Sequence, residues 1–306
     1  MLILSTWVLT APQTSVAHVA HVATHADASY GLGTRIDDTH AKPSLIASTQ
    51  ALTRGSNQLA ITFTIDKDWH LYFDGQNDTG QPPKLKLDLP AGVTASPLQF
   101  PPPKRQVQGD SILDHIYEET LTLPFTLTIG EDFKGENVLI KGSLEWLECH
   151  EECRFGKGSV ALSLPVLPPN GKPVPSRQAK KIDEAVKALP EATLPASVTM
   201  QWLPEPSNST LPSQVVISAS TAVGMTFVPD SKSVTIANLL VGGRTKRSTM
   251  TLNLDGVKSD SVLSGLLSVQ EGTESRWYQV SKPVTNPAGP KSVRPHSAPV
   301  TTAGGR

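Results

Sequence analysis

From Ser44 onward, apolar residues recur at every second position in short runs broken by proline and glycine. Leu59, Ile61, Phe63 and Ile65 alternate with Thr62 and Thr64, and Leu85, Leu87 and Leu89 alternate with Lys86 and Asp88. Leu121, Leu123, Phe125, Leu127 and Ile129 carry the same pattern further. A period of two places one side of each run on a core and the other on solvent, which is the pattern of a half-buried strand and not of a helix. Two more runs span 138–146 and 160–166, and turn residues such as Pro90-Ala91-Gly92 separate the runs. Short alternating strands at this spacing predict an antiparallel sandwich rather than a parallel sheet.

The 306 residues are long for one such domain and suit two. The 26 prolines and 22 glycines fit many strands joined by turns. The expected order is a leader over 1–28, a flexible stretch over 29–43, a first β-domain over 44–167, a linker over 168–194, a second, smaller β-domain over 195–284 and a disordered tail over 285–306. The leader is read from an apolar start and the small-x-small site Ala26-Asp27-Ala28, which predict export to the periplasm or beyond. The proline-rich linker holds one amphipathic helix over 176–189, with Ser176 as its cap, Ile182, Val186 and Leu189 on one face, and Pro190 as its stop. In the second domain 215–217, 234–236, 250–254 and 277–280 read as strands.

Net charge is −1, so nothing global favours nucleic acid or an anionic membrane surface. No run of eighteen apolar residues is present, so the sequence contains no membrane-spanning helix. P-loop, nucleophile-elbow, zinc-protease and dinucleotide fingerprints are absent, and no cofactor is implied.

The chemistry concentrates in Trp146-Leu147-Glu148-Cys149-His150-Glu151-Glu152-Cys153-Arg154, which holds both cysteines of the chain. The spacing is neither a haem attachment site nor a thioredoxin-type motif. Along a continuous strand the two residues would lie about 13 Å apart, whereas a disulfide needs Cα atoms roughly 4.4–6.8 Å apart. A bridge therefore requires a turn at 150–152, at a hairpin mouth or on a helical turn, and the flanking strand signals favour the hairpin. Three readings are open: a fixed staple, a soft-metal site for copper or zinc using Cys149, His150 and Cys153, and thiol–disulfide exchange. A staple across so short a loop would stabilise by only about 2 kcal/mol. A closed zinc site wants four ligands, and the chain has no second Cys/His cluster. For exchange, Arg154, Lys157 and a protonated His150 favour the thiolate, while Glu148, Glu151 and Glu152 oppose it.

These residues sit in a wider pattern. Asp68-Trp69-His70-Leu71-Tyr72, Asn77-Asp78-Thr79-Gly80-Gln81-Pro82, Leu89-Pro90-Ala91-Gly92-Val93, Phe100-Pro101-Pro102-Pro103, Tyr117-Glu118 and Trp146-Leu147-x-Cys149-x-x-x-Cys153 follow one another in order. Over about 45–166 the chain resembles the N-terminal periplasmic domain of DsbD-type thiol:disulfide interchange proteins, especially the branch that includes the copper-tolerance protein ScsB. Phe227-Val228-Pro229-Asp230 and Gly265-Leu266-Leu267 are similar to the downstream domain of that branch. The resemblance implies an immunoglobulin-like sandwich and a protein-disulfide reductase type of activity, in which Cys149 and Cys153 relay electrons between a separate membrane-embedded donor and periplasmic thiol proteins. It also implies an aromatic shield over the pair, for which Tyr117 is the first candidate, with Tyr72 and Phe73 as neighbours. The family's paired aromatics before the acidic residue are replaced here by His115-Ile116-Tyr117. A scaffold with a static disulfide and a copper-handling protein are the alternatives.

Overall fold

Strands take up most of the chain wherever the sequence alternates. The computed structural model describes residues 39–204 and 211–285; the expected leader, all but the end of the 29–43 stretch and the tail from 286 lie outside the described residues. The first domain is built from β1 (Ala41–Ala47), β2 (Gly55–Ile65), β3 (His70–Tyr72), β4 (Lys84–Asp88) and β5 (Val93–Ala95), followed by β6 (Lys104–Gln108), β7 (Ile112–Glu118), β8 (Thr120–Ile129), β9 (Asn137–Cys149) and β10 (Cys153–Pro165). The first strand thus begins three residues before Ser44. Tyr117-Glu118 forms the end of β7.

Two antiparallel sheets face each other, one ordered β1-β2-β8-β5 and the other β10-β9-β3-β7-β6, with β4 also paired to β9. This is an immunoglobulin-like sandwich. Its core takes Leu59, Ile61 and Phe63 from β2, Leu121, Leu123 and Phe125 from β8, and Val138, Ile140 and Trp146 from β9. Within each set the positions differ by even numbers, as a period of two requires, and each of these side chains is almost fully removed from water. Burying a side chain of this size is worth about 1.5–3 kcal/mol.

The linker helix is shorter than expected, α1 (Ala179–Lys187), and it packs against β8 and β2 with Ile182 fully buried. Ser176 does not cap it. Its hydroxyl donates to the Ala47 carbonyl at 2.6 Å and accepts from the Gln178 N–H at 2.9 Å, so it ties the linker to β1. Thr62, expected to face water, is buried and shares a hydrogen bond with Thr122 on the neighbouring strand.

The second domain comprises β11 (Val198–Pro204), β12 (Pro212–Ala219), β13 (Gly224–Pro229), β14 (Thr235–Ile236), a single turn α2 (Leu239–Gly242), β15 (Arg244–Thr245), β16 (Thr249–Asp255), β17 (Val262–Glu271) and β18 (Glu274–Pro283). Its sheets are ordered β11-β12-β16-β14 and β15-β13-β17-β18. The two domains share apolar contacts: Val228 and Leu266 join the core of the first, and Leu113 joins the core of the second.

Candidate functional site

The cysteines close the mouth of a long hairpin. β9 and β10 pair from Asn137↔Pro165 to Cys149↔Cys153, and the turn at 150–152 is closed by the His150 N–H donating to the Glu152 carbonyl at 3.2 Å. Cys149 and Cys153 form a disulfide, with Cα atoms 4.2 Å apart. The two cysteines are not equivalent. Cys149 is 2% exposed, held between strands, whereas Cys153 belongs to an exposed stretch with Arg154 and Phe155.

Register decides which side chains meet the pair, because residues directly opposite in an antiparallel ladder point to the same face. His70 lies opposite both Cys149 and Glu118, and Tyr72 lies opposite Ile116. The disulfide face therefore carries His70, Tyr72, Ile116, Leu147, Cys149, Cys153 and Phe155. Tyr72, Ile116, Leu147 and Cys149 pack as one buried cluster. The Tyr72 hydroxyl stands 3.9 Å from Cys153 Sγ, 3.1 Å from His70 Nε2 and 3.3 Å from Thr79 Oγ1.

Behind that hydroxyl lies a buried carboxylate. Thr79 donates its hydroxyl to Asp114 Oδ2 at 2.6 Å and its N–H to Oδ1 at 3.0 Å, and Asp114 is 1% exposed. With its own proton committed to Asp114, Thr79 Oγ1 accepts from Tyr72. Burial raises the Tyr72 pKa, the Thr79 bond opposes this and the Asp114 charge adds to it, so the phenol stays a donor. Burial pushes His70 down, partly offset by Asp114 and Glu118, so the imidazole is held neutral.

Tyr117, expected over the pair, occupies the other face. It lies opposite Leu71, packs in the sandwich core and donates its hydroxyl to the Pro101 carbonyl at 2.6 Å. Burial and the Asp74 charge raise its pKa further, so it too stays protonated. Phe73 is in that core as well, edge-on to Phe100 with ring centroids 6.0 Å apart. Glu148, counted among the charges opposing a thiolate, also points away from the sulfurs. Its carboxylate accepts the His40 and Ala41 N–H groups and the Trp146 indole N–H, each at 2.9 Å.

His150, Glu151 and Glu152 form the exposed hairpin tip. The Arg154 guanidinium lies over the Trp69 ring at 5.6 Å, and Trp69 also stacks on His40 at 3.7 Å and approaches His150 at 6.0 Å. Lys157 is paired with Glu145 at 3.1 Å. Among the described residues no three His, Cys, Asp or Glu side chains are grouped as metal ligands, and no helix is long and apolar enough to cross a membrane. Sequence reasoning missed Asp114 and the role of Thr79. The signal for Asp114 was its place in the series Ile112-x-Asp114-x-Ile116, which puts a carboxylate on an otherwise apolar strand face.

Residues 42–165 match the family model described as thiol:disulfide interchange protein DsbD, N-terminal. Among solved structures, the chain is similar to the N-terminal periplasmic domain of ScsB from Proteus mirabilis, at 13% identity and TM-score 0.51, covering 83% of this chain and 99% of that one. It also aligns with the periplasmic chaperone SfaE at 11% identity and TM-score 0.21, covering 77% of this chain and 97% of that one. No curated protein matches the chain.

Proposed function

With a first domain of the DsbD N-terminal type as premise, we propose that the chain is a periplasmic thiol:disulfide interchange module. It would pass electrons through Cys149 and Cys153 between a membrane-embedded donor and periplasmic thiol proteins. The observation that carries this reading is the asymmetry of the bridge: one cysteine exposed, its partner buried, and a phenol beside the exposed one.

The sulfur chemistry follows from that asymmetry. An incoming thiolate attacks Cys153 Sγ, the S–S bond breaks, and Cys149 leaves as a thiolate that takes up a proton. The product is a mixed disulfide between the partner and Cys153. The partner's second thiol then loses its proton and attacks its own bridged sulfur, releasing Cys153 as a thiolate and leaving the partner oxidised. Two electrons have entered the chain, and the same steps in reverse deliver them. The Tyr72 hydroxyl, which donates to Thr79 Oγ1 while the disulfide is closed, would turn its proton to the Cys153 thiolate as it forms or departs, and the ring would shield Cys149 from competing thiols. Phe155, 77% exposed on the same face, offers a docking protein an apolar surface next to the reacting sulfur.

Trapping tests the reading. Cys149→Ala is expected to accumulate mixed disulfides through Cys153 in periplasmic extract, and Cys153→Ala far fewer, since Cys149 is enclosed. No adduct from either variant would overturn it. The couple is expected between roughly −180 and −270 mV, the range of exchange proteins. A potential below about −300 mV would instead mark a static staple.

A further inference from the structure

Tyr72 is reached from the second domain by a single loop. Residues 73–80 leave β3 just after Tyr72, touch the second domain and return over the Tyr72 ring. Two glycines mark the two contacts, each by lack of room. A Cβ on Gly75 would come within 2.3 Å of the Pro229 carbonyl oxygen, at the end of β13. A Cβ on Gly80 would come within 2.0–2.2 Å of the Tyr72 ring. No real Cβ tolerates such distances, so the loop backbone lies flat against the other domain at one end and against the tyrosine at the other.

Gln76, between them, spends every polar group it has. Its side-chain Nε2 donates to the Val234 carbonyl at 3.0 Å and its Oε1 accepts the Ile236 N–H at 3.1 Å, clasping the strand β14. Its backbone N–H donates to the Pro229 carbonyl at 3.2 Å, and its carbonyl accepts from His115 Nδ1 at 3.2 Å. Gly75 and Asp230 form a β-bridge, and the Ser231 N–H donates to the Asp74 carbonyl at 3.1 Å. Three residues on, the same loop delivers Thr79, which accepts from the Tyr72 hydroxyl and is itself anchored to Asp114.

We infer that the second β-domain positions the Tyr72 hydroxyl on Cys153, acting through Gln76 and the loop 73–80, and that Gln76 is a positioning residue for thiol–disulfide exchange. The inference rests on the exchange chemistry proposed above and assigns the second domain a part in it. The hydroxyl has one proton and three polar partners within reach: Thr79 Oγ1, His70 Nε2 and Cys153 Sγ. Where the oxygen sits decides how much of that proton the Cys153 thiolate can claim. A loop released from β14 lets the oxygen withdraw, and the thiol becomes less acidic.

The test uses the full chain carrying Cys149→Ala, so that Cys153 is the one thiol. Iodoacetamide alkylates the thiolate, forming an S–C bond and expelling iodide, and the pH midpoint of the rate reports the acidity of Cys153. Tyr72→Phe is expected to raise that midpoint by about 1–2 units, the loss of one hydrogen bond to a charged acceptor. Gln76→Ala is expected to raise it in the same direction, and to add nothing further in the Tyr72→Phe background. A double-mutant cycle of this form isolates action through Tyr72. Gly75→Ala, which forces the loop from Pro229 at a different point, is expected to behave like Gln76→Ala. A midpoint unmoved by both loop variants, a shift by Gln76→Ala undiminished in the Tyr72→Phe background, or no shift with Tyr72→Phe itself would overturn the inference. Alkylation involves no partner protein, so failure here is separate from failure to trap mixed disulfides.

Discussion

Two buried ionisable groups carry stability that measurement can isolate. Glu148 gathers three N–H donors from the backbone of His40 and Ala41 and the indole of Trp146. Glu148→Ala leaves those donors without an acceptor, and an unsatisfied buried polar group costs about 1–3 kcal/mol. The variant is expected to lose about 3 kcal/mol or more in chemical denaturation, with the disulfide intact. His115 is fully buried, its Nδ1 bonded to the Gln76 carbonyl, and its Nε2 has no hydrogen-bond partner among the described residues. Burial lowers its pKa to about 4; the Gln76 bond and the Asp114 and Asp78 charges oppose this, and the Arg105 charge adds to it. The unfolded chain therefore binds this proton first. Its contribution is whole above pH 6.5 and is lost as pH falls towards about 4. The full shift corresponds to about 3 kcal/mol. His115→Gln is expected to flatten the fall in thermal midpoint across that window; an unchanged slope would assign the acid sensitivity elsewhere. At this scale the hairpin turn that a bridge requires was legible from spacing, but the shield was not. Tyr72 and Tyr117 are equally apolar with a polar tip, and only the pairing of β3 with β7 puts one on each side of the sheet.

Strands whose two faces differ were the ones the sequence announced. β8 and β9 alternate because one side meets the core, and 215–217, 250–254 and 277–280 emerged as β12, β16 and β18 for the same reason; β2 was announced by Thr62 and Thr64 between its apolar residues, although Thr62 is buried. β13 and β17 were not read as strands. Residues 263–269 of β17 are buried throughout, and Val228 and Leu266 turn towards the first domain, so covering both faces erased the period of two. The helix was legible in place but two to three residues too long at each end, where a proline-rich chain left Ser176 free to bond β1 instead. Close packing in the β9–β10 hairpin makes its own prediction. Gly156 faces Trp146 across the ladder, and a Cβ there would approach the indole to 2.1 Å. Gly156→Ala must displace the largest side chain of the core, and overpacking of this kind costs about 1–3 kcal/mol. Thermal unfolding is expected to show that loss, and an unchanged midpoint would mean that the indole finds room elsewhere.

The two sandwiches meet through apolar side chains that each contributes to the other's core, through the clasp at Gln76 and through the Arg105 guanidinium donating to the Leu240 carbonyl at 2.6 Å. The chain is accordingly expected to unfold in one calorimetric transition, and Gly75→Ala, which wedges the junction apart, to resolve it into two. A single unbroken transition in that variant would show the contact to be weaker than drawn. The arrangement of the domains was beyond the sequence, because Gly75 and Gln76 look like any turn until Pro229 and β14 lie against them. The bridge between Gly75 and Asp230 has a reciprocal side. If adhesion between the sandwiches alters the free energy of the bond between the sulfurs, then opening that bond must alter adhesion by the same amount. Loading the chain with two electrons would then loosen or tighten the seam at Gln76 and Ile236. Amide exchange there would differ between the oxidised and reduced forms, and a partner touching only the second domain could sense the electron load without meeting a cysteine.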